Sequence, residues 1–120
     1  MIKTRSYKDL VVWQRSIEVV IEIYKVTRLF PKSELYGLSS QMRRAAVAIP
    51  SNIAEGYSRA SRAEYMRFLQ IAYSSAAELE TQLLIAKQLE YRGNFSTANA
   101  LLLEVIKMLS RMLNQLRKKE

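Results

Sequence analysis

The stretch Ser61–Ala86, SRAEYMRFLQIAYSSAAELETQLLIA, decides the fold. It opens on a capping box, Ser61-Arg62-Ala63-Glu64, in which the serine oxygen accepts a backbone N–H inside the first turn and the glutamate reaches back. Tyr65, Leu69, Ala72, Ala76, Leu79, Leu83 and Ala86 then alternate steps of four and three. That period keeps side chains on one face of a helix and is the one used by left-handed bundles. A long amphipathic helix is predicted from Ser61, stopped at Gly93.

Working outward, a helix is predicted from about Ser96, with Ala98, Leu102, Val105, Leu109, Met112 and Leu116 as its seam. Leu101, Leu103, Ile106, Met108 and Leu113 are apolar in excess of that seam. Upstream, a helix from Ser33 or Glu34 to Gly56 turns Leu35, Leu38, Met42, Ala45, Ile49 and Ile53 inward. Its other side carries the small residues Ser40, Val47, Ala48, Ser51 and Ala54, which let a neighbouring backbone come close. Pro50 lies within it, deleting one backbone bond at about 3 kcal/mol unless packing offsets it, and a bend near Ala46 is expected. The first helix, from about Asp9 to Leu29, has two apolar stripes. Leu10, Trp13, Ile17, Val20, Tyr24 and Thr27 form one; Val12, Val19, Ile23, Val26 and Phe30 form the second, about 100° around the cylinder.

Four helices with short connections pack antiparallel. The predicted fold is therefore all-α: an antiparallel, left-handed, up-down-up-down four-helix bundle, with residues 1–120 as a single domain. Composition agrees. The 120 residues are 49% hydrophobic, and three glycines and two prolines leave little material for turns. The apolar surplus on the first and fourth helices, with the small side of the second, exceeds what one four-helix core absorbs, which implies assembly into a homo-oligomer; absorption by helix ends and supercoil drift is the plainer alternative.

There is no cysteine and no histidine. That removes disulfides, thiolate nucleophiles, imidazole bases and the Glu-x-x-His motif of di-iron bundles. Glu78 and Glu80 stand two apart, on different sides of a helix, and make poor joint ligands. No glycine-rich phosphate loop or nucleophile motif is present. The expectation is a protein that is not an enzyme, with no catalytic residues, no metal and no cofactor. No secretory core follows Met1 and no stretch is apolar enough to span a bilayer, so a cytoplasmic protein with no membrane partner is expected.

Nineteen Lys and Arg against eleven Asp and Glu give a net charge of +8. In the antiparallel order the chain termini and the connection between the second and third helices gather at one end. That end holds Lys3, Arg5, Lys8, Arg59, Arg62, Arg117, Lys118 and Lys119 against Asp9, Glu55, Glu64 and Glu120. These eight cations are the candidate nucleic-acid-binding residues, holding phosphates by counterion release, with Tyr7 and Tyr57 as stacking faces. A set of solvated helix ends is the plainer reading of the same charges.

The run Leu38–Gly56, LSSQMRRAAVAIPSNIAEG, resembles the signature of a bacterial family, the four-helix bundle proteins of 23S ribosomal RNA intervening sequences. Tyr7–Gln14, YKDLVVWQ, resembles the start of that family, and Glu64–Ala72 with Ser75 and Glu78–Leu83 resembles its third helix, with Ser74 where a glycine is expected. The resemblance implies a homopentamer and nucleic-acid (RNA or DNA) binding without an established reaction. It extends in fold to accessory proteins of diversity-generating retroelements. A protein-binding scaffold, or an accessory factor for a reverse transcriptase without direct nucleic-acid contact, is accordingly the alternative function. Within the signature, Arg43, Arg44, Pro50, Asn52 and Glu55 are candidates for a structural or interface role. Arg43 and Arg44 face phosphate, or pair with carboxylates such as Glu55 or Glu78 inside the subunit or across a subunit boundary; the second is preferred because charges among small residues tolerate burial only when paired.

Overall fold

The computed structural model describes residues 6–118. Within them are four α-helices and no strand: α1 (Val11–Thr27), α2 (Leu38–Tyr57), α3 (Arg62–Gln88) and α4 (Phe95–Lys118). Short 3-10 turns, Tyr7–Asp9 and Lys32–Glu34, precede α1 and α2. Each helix packs against two others, α1 on α2 and α4, α3 on α2 and α4, while the diagonal pairs do not approach. The body measures 47 × 24 × 21 Å.

α3 follows the sequence reading. Ser61 is its N-cap and accepts the backbone N–H of Glu64 at 3.1 Å, a contact of about 1 kcal/mol. Leu69, Ala72, Ala76, Leu79, Leu83 and Ala86 are buried as the seam requires, with Tyr65 packed at its edge. The end differs. Glu90, not Gly93, takes the left-handed conformation that closes α3, at φ 59°. It lets the Tyr91 N–H reach back to the Ala86 carbonyl at 3.1 Å. Gly93 serves the turn that follows, with φ 139° and Val26 nearby.

In α1 the second stripe is the core. Val12, Val19, Ile23, Val26 and the following Phe30 are buried, with Ser16 and Thr27 between them. The first stripe lies along the rim, where Leu10, Trp13 and Val20 pack at the edge and Tyr24 is exposed. Bulk explains the choice: aliphatic and β-branched residues suit the narrow space between four helices, whereas Trp13 and Tyr24 carry polar atoms that stay near water.

α2 begins at Leu38, later than Ser33 suggests, because the chain makes its 3-10 turn at Lys32–Glu34 and passes Gly37 first. Leu35 therefore sits in a turn and is half-exposed instead of inward. The helix start is capped from behind by Glu34, whose Oε1 accepts the Leu38 N–H at 3.1 Å. α2 continues through Pro50, which is buried, to Tyr57. The small residues of its other side are not in the core, Val47 and Ser51 being exposed and Ser40, Ala48 and Ala54 half-buried; the close approach to α3, the partner α2 packs on most extensively, is at Gly56. A Cβ on Gly56 would stand 2.7 Å from Phe68 Cβ and 3.3 Å from the Tyr65 carbonyl oxygen.

α4 starts at Phe95, where Asn94 Oδ1 accepts the Ser96 N–H at 3.1 Å. Ala98, Leu102, Val105 and Leu109 are buried as expected, but in the last turns Leu113 replaces Met112 as the buried residue. A straight helix drifts by about 20° per heptad against a 3.5-residue repeat, enough to hand the core position to the next apolar side chain. Phe30 gathers Tyr91 and Phe95 around it, with ring centroids 5.1 and 6.1 Å away, and closes one end.

Candidate nucleic-acid interface

The basic residues that the sequence places at one end are carried by four different segments. Lys3, Arg5 and Lys119 lie outside the described residues. Lys8 is exposed in the first 3-10 turn, with its backbone tied on both sides: its N–H donates to Ser6 Oγ and its carbonyl accepts from Gln14 Nε2. Arg59 follows α2, Arg62 opens α3, and Arg117 and Lys118 close α4; all four are exposed.

Two of them reach the same turn of α3 from different sides. The Arg59 guanidinium lies 4.8 Å from the centroid of the Phe68 ring and 3.6 Å from Glu55. Arg117 Nη2 donates to Gln70 Oε1 at 3.1 Å, two residues further on, and its Nη1 to Asn114 Oδ1 at 3.4 Å. A third arginine joins them that the sequence reading missed. Arg67 stacks 4.6 Å from the same Phe68 ring and donates to Glu64 at 3.0 Å. Its position in the second turn of α3 hid it, since the reading collected cations at chain ends and connections; the neighbouring aromatic, Arg67-Phe68, was the available signal.

These attachments hold the arginines weakly. Exposed ion pairs contribute about 0–1 kcal/mol, and exposed cation–π contacts about 0.5–1 kcal/mol. Each guanidinium also keeps donors directed at water, so an incoming phosphate oxygen exchanges with solvent and not with a buried partner. The tyrosines expected as stacking faces are committed elsewhere. Tyr7 meets Trp13 edge-on at 5.4 Å, and Tyr57 meets Tyr65 edge-on at 6.1 Å. Burial, then the neighbouring Tyr57, raise the pKa of Tyr65, which keeps that hydroxyl neutral. Phe68 at this end is half-buried and already faced by two guanidinium groups.

The signature residues of α2 behave differently from the expected internal pairing. Glu55 pairs with Arg59 and Glu78 accepts from Gln82, so neither meets Arg43 or Arg44. Twelve residues separate Arg43 from Glu55, about 18 Å of helix, too far for a shared contact. Arg43 turns to α1 instead: its Nε donates to Thr27 Oγ1 at 2.9 Å, and its guanidinium lies 4.7 Å over Tyr24. Thr27 passes the bond on, donating to the Ile23 carbonyl at 2.7 Å. Arg44 is exposed and makes no ion pair among the described residues. Asn52 Nδ2 donates to the Ala48 carbonyl at 2.8 Å inside its own helix. Arg43 and Arg44 line a shallow groove of about 770 Å³ between α1 and α2, floored by Ser40 and Ala48 and rimmed by Tyr24, Leu35, Tyr36 and Val47.

A four-helix body with exposed arginines after α2 and on α3 and α4, and with grooves along its sides, defines a class of small basic bundle proteins. Comparison with known proteins narrows it. The chain matches the family of 23S rRNA-intervening sequence proteins over residues 8–115, and it belongs to that family. A crystal structure of a protein of unknown function from the S23 ribosomal protein family of Bacteroides thetaiotaomicron is similar to it, with a TM-score of 0.78 and 27% sequence identity over 86% of this chain and 98% of the other. No curated protein matches the chain. Among the described residues, no helix is long and apolar enough to cross a membrane.

Proposed function

We propose that this protein is a non-enzymatic, single-domain, up-down-up-down bundle that assembles into a homo-oligomer, a pentameric ring, and binds nucleic acid through the basic end of each copy in the cytoplasm. The observation that supports it is the pairing of Arg59 and Arg67 on the Phe68 ring, with Arg117 held to Gln70 on the other flank of the same turn of α3. Arginine forks suit phosphate oxygens, and a ring would repeat the cluster around one axis, so that a polyanion meets several copies at once. The family's name ties it to 23S rRNA, which makes ribosomal RNA the first probe.

The test is a titration of a 23S rRNA fragment with the full chain at several salt concentrations. Binding that weakens steadily with salt, and that weakens at least tenfold further in the variant R59E/R117E, supports the reading. No binding, or binding indifferent to salt and to both substitutions, overturns it. A second reading, a scaffold for another protein, is favoured by the exposed Leu84, Ile85 and Leu89 along α3. It predicts a protein partner retained at high salt and no RNA.

A further inference from the structure

Two grooves among the described residues have positions and charges that fit each other. One is the α1/α2 groove with Arg43 and Arg44; the second, of about 760 Å³, lies between α3 and α4. Because the helices pack in the cyclic order α1, α2, α3, α4 with no diagonal approach, these two grooves open on opposite sides of the body. The first presents arginines and no carboxylate, and a Tyr36 side chain 93% exposed beside Leu35. The second presents Leu84 and Leu103, 56% and 39% exposed, and Glu80, which has no ion pair or hydrogen bond among the described residues.

We infer that the α1/α2 groove of one copy docks on the α3/α4 groove of the next, Tyr36 entering between Leu84 and Leu103 and Arg44 meeting Glu80. This rests on the proposal that the protein self-associates, and it names the surfaces. A symmetric contact of the first groove with itself would set arginines against arginines, which costs affinity. Lys87 also lines the second groove, but it stands two turns from Glu80, about 10 Å along α3, and leaves that carboxylate free for Arg44. Joining unlike faces on opposite sides is a head-to-tail contact, which closes into a ring when the rotation between copies allows.

Two experiments on the full chain test it. First, the mass in solution is measured for the unmodified protein and for R44E, E80R and R44E/E80R, with helical circular dichroism as the folding control. Each single reversal is expected to weaken assembly at least tenfold, and the double reversal to restore it. Second, the chain has no cysteine, so Y36C and L84C introduce the only thiols. Under mild oxidation the two variants mixed are expected to form covalent dimers, and the two substitutions combined in one chain longer covalent multimers, that neither single variant forms alone. An unmodified protein that is oligomeric, with a mass indifferent to both reversals and no cross-link, overturns the pairing and leaves self-association standing. A monomeric unmodified protein overturns both. Cross-linking of L84C alone overturns the pairing in favour of a symmetric α3/α4 contact. Loss of RNA binding in R44E at unchanged mass overturns it in favour of a nucleic-acid groove.

Discussion

The Tyr91 hydroxyl donates to Glu34 Oε2 at 2.6 Å, joining the connection after α3 to the connection before α2. The other oxygen of the same carboxylate caps Leu38, so one side chain both starts a helix and ties two connections together. The Tyr91 hydrogen bond, then the Leu38 backbone bond, lower the Glu34 pKa, and the bond to Glu34 raises that of Tyr91. A lowered carboxylate contributes stability that is present above its unfolded value and is lost as pH falls through its folded value. A raised phenol contributes stability present below its own unfolded value and lost as pH rises through the folded one. Y91F is therefore expected to lower Tm at neutral pH and to flatten its decline at both the acid and the alkaline limb. Unfolding scans across pH check this; a Y91F profile that parallels the unmodified protein would mean the bond contributes nothing.

Gly56 is buried where α2 crosses α3, with no room for a methyl group beside Phe68 and the Tyr65 carbonyl. G56A exchanges a helix-weakening residue for the best helix former, yet overpacking of this kind costs about 1–3 kcal/mol. Chemical denaturation is expected to show a net loss of stability. A gain would mean that the two helices separate easily.

Gln82 is a polar residue in the seam of α3, and its Oε1 is buried with no partner, while its Nε2 donates to Glu78. An unsatisfied buried carbonyl costs about 1–3 kcal/mol. Q82M keeps the length of the side chain and removes that oxygen, so a rise of about 1 kcal/mol in unfolding free energy is expected. A fall would show that the amide is worth more than the orphaned oxygen costs.

Glu90 holds φ at 59°, where a side chain crowds its own backbone by about 1–2 kcal/mol. E90G removes that cost, partly offset by the greater freedom of glycine in the unfolded chain. A rise in Tm is the expected result, and a fall would locate a stabilising contact in the Glu90 side chain.

Helix existence was legible wherever one apolar stripe was continuous, as from Leu69 to Ala86. It was less so where the sequence supplied two answers. α1 carries two stripes of similar length, and only packing against α2 and α4 selects Val19 and Ile23 over Ile17 and Tyr24. Helix ends depended on contacts from elsewhere in the chain. The start of α2 is set by Glu34 held by Tyr91, fifty-seven residues away, so Ser33 misled as a local signal. The same holds for the candidate site: Arg59 and Arg117 could be assigned to one end by chain order, but their neighbours Phe68 and Gln70 are tertiary partners. Arg43 went to Thr27 and Tyr24 across the helix pair, whereas the sequence reading seeks its partner among carboxylates, Glu55 or Glu78.

Native mass spectrometry of the full chain mixed with a 23S rRNA fragment tests the central claim most directly, because it counts protein copies and RNA in one particle. The account predicts a single assembly of several chains carrying RNA that dissociates as salt is raised. A spectrum of lone chains without RNA would contradict it.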